Sequence, residues 1–317
     1  MKIVFLDIYT LKPDEFSWDG FDALGEVVMY DRTSSEELME RAEGAEILLT
    51  NKTVLDAESI CALPSLKYIG VLATGYNVVD LDAARERGIV VTNIPAYSTS
   101  SVAQMVFAHL LTITQRVEHY TKEVRRGAWN AQPDFCFWDT PLVELDGKKM
   151  GIIGFGNTGK AVAGIASAFG MKVCLYTSKP QSVLPDGYIK KDLDDIFREC
   201  DVISLHCPLT SATSKLVNTY RIALMKKGAI LINTSRGGVI DDRALAEALA
   251  DGQDLWVGLD VMSEEPMPDD HPLLAQERCF ITPHIAWATH EARQRLIDQA
   301  LMNLKSWMEG NVINNVI

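Results

Sequence analysis

No apolar run in this sequence is long enough to cross a membrane, and the residues after Met1 lack the apolar core of a secretory leader. Basic residues are scarce: 30 Lys and Arg stand against 43 Asp and Glu, for a formal net charge of −13. A field of that sign repels phosphate backbones and anionic bilayers, which makes nucleic acid and membrane surfaces poor partners. The six cysteines, Cys61, Cys136, Cys174, Cys200, Cys207 and Cys279, are scattered without CxxC spacing. That pattern argues against a disulfide framework and a metal site, and several of the six sit in apolar runs as small hydrophobes. The default expectation is a cytoplasmic protein.

What is present is alternation. At 317 residues and 47% hydrophobic, the chain has length for about two domains with sizeable cores. "KIVFLDIY", "VVMYD", "EILLT", "YIGVLATG" and "IVVTNIP" are strand-length runs rich in Val and Ile. Ser34 and Glu37 between the second and third form a capping-box signature for a helix start. A single long helix is expected from about Ser100 to Arg126, with Val102, Val106, Leu110 and Ile113 on one face. After an aromatic, irregular stretch comes a second series: "KKMGIIG", "MKVCLY", "VISLH", "AILINT", "LWVGLD" and "CFITPH". Strand–helix alternation predicts parallel sheets with helices on both faces. The expected fold is α/β, with two doubly wound domains. Residues 1–98 plus 286–317 would form a flavodoxin-like substrate domain, closed by a helix from about Glu291 to Met308. Residues 99–285 would form a Rossmann dinucleotide-binding domain with six strands.

"GIIGFGNTGKAV" holds Gly154, Gly156 and Gly159 in G-x-G-x-x-G spacing between a buried strand and a helix. Such a loop turns tightly, lets a pyrophosphate approach the backbone, and packs helix on strand, with Asn157 and Thr158 at the helix start. An NAD-binding fold of this kind ends its second strand in an acid that takes the ribose hydroxyls. Here Thr177, Ser178 and Lys179 stand in that place. Small hydroxyls beside a cation favour NADP, and NAD remains open.

Three later strands end in polar residues: Arg236 after "AILINTS", Asp260 and then Glu265 after "LWVGL", and His284 after "CFITP". In open parallel sheets ligands bind outside the carboxyl ends of the strands, so these groups could meet at one crevice. Arg236 could hold the adjacent carboxylate and carbonyl of a 2-keto acid in its planar fork. A hydride would reach the carbonyl carbon from a nicotinamide, and His284 would give the oxygen its proton. Glu265 on the other ring nitrogen would favour the protonated imidazole and orient it. His206, ending "VISLH", is the rival acid. His109 and His119 on the long helix read as packed or solvated, and His271 and His290 as loop and helix-surface residues.

With "ATGYNVVDLDAARERGI", "STSSVAQMVFAHLL", "GIIGFGNTGK", "HCPLT", "NTSRGGVID" and "TPHIAWAT" together, nearly the whole chain resembles the D-isomer-specific 2-hydroxyacid dehydrogenases. Trp287 within the last motif suggests the glycerate dehydrogenase/hydroxypyruvate reductase branch. The resemblance implies catalytic positions at Arg236, Glu265 and His284, and a loop of Thr74, Gly75 and Tyr76 offering N–H groups to the substrate carboxylate. It implies Asp260 against the nicotinamide carboxamide, and Cys207, Pro208, Thr234, Ser235 and Thr99 along the cofactor. It also implies a homodimer joined through the nucleotide-binding domains. D-Lactate, formate and phosphoglycerate dehydrogenases are rival activities, and an NAD(H)-sensing corepressor-like protein is the rival from another class.

Overall fold

Every Val- and Ile-rich run named above becomes a parallel strand. In a computed structural model describing Met1–Ile317, the chain divides into two units, Met1–Ser98 with Ala288–Ile317, and Thr99–Trp287. The chain thus returns to the first unit at Ala288, slightly later than the expected 286. No helix is long and apolar enough to cross a membrane.

The first unit carries β1 (Lys2–Phe5), β2 (Glu26–Met29), β3 (Ile47–Thr50), β4 (Tyr68–Val71) and β5 (Val90–Thr92), all parallel, in the order β2-β1-β3-β4-β5. That order is the flavodoxin-like winding. β3 and β4 are buried at every residue, as strands covered on both faces must be. Its helices are α1 (Asp19–Asp22), α2 (Leu38–Arg41), α3 (Ala57–Ala62) and α4 (Leu81–Glu86). Carboxylates of Asp56 and Asp80 accept the Ser59 and Ala83 N–H groups and start α3 and α4. Before α2 the expected capping box forms: Ser34 N–H donates to Glu37 Oε2 at 3.0 Å and Glu37 N–H to Ser34 Oγ at 3.3 Å.

The C-terminal helix (His290–Met308) belongs to this unit. Arg293, 8% exposed, anchors it. The guanidinium donates to Leu11 O at 2.8 Å, Ala288 O at 3.1 Å and Glu15 Oε2 at 2.6 Å. Toward the far end, the Trp307 ring lies 5.0 Å from that of Tyr68.

The second unit starts with a helix that corrects one expectation. The long helix predicted to Arg126 breaks at Arg116, whose φ of 52° is left-handed, giving α5 (Thr99–Gln115) and α6 (Val117–Arg125). Two tertiary contacts favour the break. Val143 N–H takes the Thr114 carbonyl at 3.1 Å, and the Arg116 guanidinium sits 5.0 Å from the Trp256 ring centre. The sheet comprises β6 (Lys149–Ile153), β7 (Lys172–Tyr176), β8 (Ile189–Lys190), β9 (Val202–Leu205), β10 (Ala229–Asn233), β11 (Leu255–Leu259) and β12 (Cys279–Ile281). Its order is β12-β11-β10-β9-β6-β7-β8, the Rossmann winding. It has one strand more than expected, because β8 is a two-residue edge strand too short and polar to read as one. Helices α7 (Asn157–Ala168), α8 (Leu193–Glu199), α9 (Thr219–Leu224) and α10 (Asp242–Ala250) complete it.

Removing Arg293's three contacts should strand the buried Leu11 carbonyl and leave the Ala288 carbonyl and Glu15 carboxylate without this donor. Arg293→Met should lower the unfolding free energy by about 2 kcal/mol, read from the urea midpoint of the first unit's transition. An unchanged midpoint would show that packing alone seats the helix.

Candidate active site

Parallel strands β10, β11 and β12 are neighbours in register, so their carboxyl ends deliver Arg236, Asp260 and His284 to one edge of the second unit. Asn233 shapes the first delivery. Fully buried, it donates from Nδ2 to Arg236 O at 2.9 Å, and its Oδ1 accepts Ser235 N–H at 3.0 Å and Ser235 Oγ–H at 2.8 Å. Arg236 itself is exposed, and its guanidinium donates to Ser235 O at 2.7 Å. A Cβ on the next residue, Gly237, would come within 1.8 Å of the Met262 carbonyl carbon. The Arg236 loop therefore lies backbone to backbone on the segment leading to Glu265. Met262 N–H then donates to Glu265 Oε1 at 3.0 Å.

Glu265 Oε2 meets His284 Nδ1 at 2.7 Å, each side chain about one-third exposed. The imidazole thus has one nitrogen held by a carboxylate. His284 adopts φ 53°, a left-handed conformation that a non-glycine residue takes only when its surroundings impose it. Asp260 ties down the residues around His284. Asp260 is 1% exposed. Its Oδ1 accepts the Thr282 hydroxyl at 2.6 Å and Ile285 N–H at 3.0 Å, and its Oδ2 accepts Ala286 N–H at 2.8 Å. Residues on both sides of His284 are thereby tied to one carboxylate. This reveals work for Asp260 that motif reading alone did not suggest.

The glycine loop lies at the carboxyl end of β6. A Cβ on Gly154, φ 98°, would strike the His206 carbonyl, and one on Gly159 would come within 2.1 Å of Gly154 O. Both glycines are therefore close-approach positions, and the first brings His206 and Cys207 beside the loop, with Pro208 next in the chain. Gly156 is the opposite: a Cβ there meets nothing within 4 Å. It caps α7 without a side chain, so the first-turn N–H groups, those of Asn157, Thr158 and Gly159 among them, stay open to an anion. The Thr234 hydroxyl, buried at the end of β10, has no partner within the protein. A glycine cradle open at Gly156, a bare helix N-terminus and an orphaned hydroxyl at a strand end fit a dinucleotide.

Beyond β7 is a cleft of about 590 Å³ lined by Phe155, Lys160, Lys179, Val183, Pro185 and Tyr188. Burial and the neighbouring Lys160 ammonium hold Lys179 below the usual lysine range. Its Nζ lies 5.5 Å from the Phe155 ring centre. Thr177 Oγ1 accepts Lys179 N–H at 3.2 Å, while Ser178 is exposed. Sequence reading found Lys179 and missed Lys160, which follows the last glycine of the loop and reads there as an ordinary helix-surface lysine.

Thr99 is the first residue of α5. Thr74, Gly75 and Tyr76 belong to the first unit, after β4, where the Thr74 hydroxyl donates to Ile94 O at 2.9 Å. None of their three N–H groups donates to a protein backbone acceptor. The rival acid His206 shares a 2.8 Å hydrogen bond with Ser204 Oγ. Although it keeps some exposed surface, desolvation pushes its pKa down to about 4, leaving it neutral at physiological pH.

A family model described as D-isomer specific 2-hydroxyacid dehydrogenase, NAD binding domain, matches residues 107–286. A hydroxypyruvate reductase of Blautia hydrogenotrophica is 48% identical over 320 residues, covering 100% of this chain and 99% of that protein. A glycerate dehydrogenase of Methylorubrum extorquens is 40% identical, covering 99% of this chain and 98% of its own. Among solved structures, the TT0316 protein from Thermus thermophilus superposes with a TM-score of 0.87 at 37% identity, with both chains covered completely.

Two substitutions separate the glycines' roles. Gly156→Ala should leave the thermal midpoint within about 2 °C of wild type and weaken NADH and NADPH binding at least ~10-fold. Gly159→Ala should lower both stability and binding. Fluorescence titration showing wild-type affinity in Gly156→Ala would remove the pyrophosphate from this loop.

Proposed function

The chain belongs to the D-isomer specific 2-hydroxyacid dehydrogenase family, oxidoreductases acting on a CH–OH group, and on that premise we propose that it reduces hydroxypyruvate to D-glycerate or glyoxylate to glycolate. The observation that carries the reading is the Glu265–His284 pair at the strand edge shared with Arg236. In this reading, Arg236 binds the substrate's carboxylate and carbonyl oxygens and polarises the carbonyl. A reduced nicotinamide bound by the glycine loop supplies the hydride. His284 delivers the proton to the developing alkoxide from Nε2, the nitrogen that Glu265 leaves free, and recovers one in the reverse direction. Glu265, itself braced by Met262 N–H, fixes the ring's orientation. Thr74, Gly75 and Tyr76, with their free N–H groups, are assigned to carboxylate binding, and Cys207, Pro208, Thr234, Ser235 and Thr99 to the cofactor. Asp260 keeps its carboxamide assignment only as a second duty beside the loop it pins.

We assign NADP as the preferred cofactor. The support is the Lys160–Lys179 pair in a cleft without a carboxylate, where a 2′-phosphate dianion would relieve the repulsion between two ammonium groups. A homodimer through the second unit is our reading of the segment after α5. α6 buries none of its residues, and beyond it Phe135 and Trp138 are 89% and 68% exposed. The cytoplasm suits a chain whose six cysteines are all free.

His284→Ala should lower kcat at least ~100-fold while NAD(P)H affinity stays within about twofold. Turnover at the wild-type rate would remove the acid/base assignment. Lys160→Ala and Lys179→Ala should each weaken NADPH about 10-fold and NADH about twofold or less, by titration of either nucleotide. Equal losses for both nucleotides would contradict the phosphate seat.

A further inference from the structure

His109 lies inside α5 and is 4% exposed, yet it is not merely packed. Its Nε2 is 3.1 Å from the Thr282 hydroxyl, which is itself 2.6 Å from Asp260 Oδ1. The proton count fixes the direction. A carboxylate can only accept, and a threonine hydroxyl has one proton to give. That proton goes to Asp260, so the bond from His109 must carry its hydrogen on Nε2. Burial lowers the imidazole's pKa against the opposing pull of Asp260, which suits a neutral ring. The strand opposite is shaped to receive this ring. Gly258 of β11 faces it, and a Cβ there would come within 2.8 Å of His109 Cβ. A strand interior is a costly place for glycine unless close approach is required.

We propose that His109 is a positioning residue for His284, acting through a directed chain from Nε2–H to the Thr282 hydroxyl to the Asp260 carboxylate. Thr282 is the hinge of the arrangement. Its carbonyl accepts His284 N–H at 3.0 Å, and its hydroxyl is fixed between the helix and the carboxylate. Asp260 holds Ile285 and Ala286 on the other side. Without the His109 donor, the hydroxyl loses one of the two contacts that fix it. The left-handed turn that aims the imidazole then rests on fewer constraints. This inference rests on the acid/base reading of His284, and its test keeps the two apart.

The experiment compares His109→Leu, His109→Gln, Thr282→Val and Thr282→Ser in the full-length protein. Gln keeps a donor near the Nε2 position, and Ser keeps the hydroxyl. His109→Leu and Thr282→Val should each lower kcat for hydroxypyruvate or glyoxylate reduction about 10-fold, with NAD(P)H affinity within about twofold. His109→Gln and Thr282→Ser should recover to within about threefold of wild type. The His109→Leu/Thr282→Val double variant should be no slower than the slower single one, because both break one chain. Wild-type turnover in His109→Leu overturns the proposal, as does an equal loss in Leu and Gln variants matched by equal falls in melting temperature. Histidine ¹⁵N spectra read the geometry without turnover. They should show His109 as the Nε2–H tautomer and a displaced His284 signal in Thr282→Val, and an Nδ1–H tautomer overturns the chain. If His284→Ala retains activity, the acid/base reading falls and these spectra alone decide the positioning claim.

Discussion

One buried carboxylate organises the end of the second sheet. Asp260 leaves the carboxyl end of β11 and receives three donors from the segment that follows β12. A desolvated carboxylate is tolerable only when its oxygens are well satisfied, and the donors that satisfy it are the ones bracketing His284. The cost of burial and the placement of the imidazole are therefore met by the same three hydrogen bonds. Loosening the loop would leave a buried charge underserved, so the left-handed His284 is held by more than its own contacts.

The rest of the edge is assembled by close backbone approach rather than by large side chains. Gly237 lays the Arg236 loop on Met262 and Ser263, Gly154 lays the glycine loop on His206 and Cys207, and Gly258 admits His109 against β11. Each glycine removes a side chain where two segments must nearly touch. Parallel strands supply the direction, since β10, β11 and β12 all end on the same side. Polar residues just beyond a strand then share one edge without any motif having to encode their proximity.

Much of this was legible in the sequence, because it follows from local pattern. Strand-length Val and Ile runs, the Ser34–Glu37 capping box and the glycine spacing are short-range features whose physics is contained in a few residues. What escaped depends on distant partners. Arg116 breaks a helix because Val143 and Trp256 engage its neighbourhood from far along the chain. β8 exists only as a ledge on β7, pairing through Cys174 and Leu175. His109 reads as a histidine on a helix until Gly258 and Thr282 are seen beside it. Lys160 gains meaning from Lys179, and Asn233 from the turn it bridges. The same limit applies to Asp260: motif likeness implies a contact with the cofactor, and the hydrogen bonds add a brace that no short motif encodes.

The central claim is that His284 and Arg236 address the same substrate oxygens from adjoining strand ends. A crystal structure of the full-length protein with NADP(H) and a non-reducible 2-keto acid analogue tests it most directly. The account predicts His284 Nε2 and the Arg236 guanidinium both within hydrogen-bonding distance of the analogue's oxygens, with Glu265 still on Nδ1. An analogue bound away from these two side chains, or an imidazole turned from it, would contradict the account.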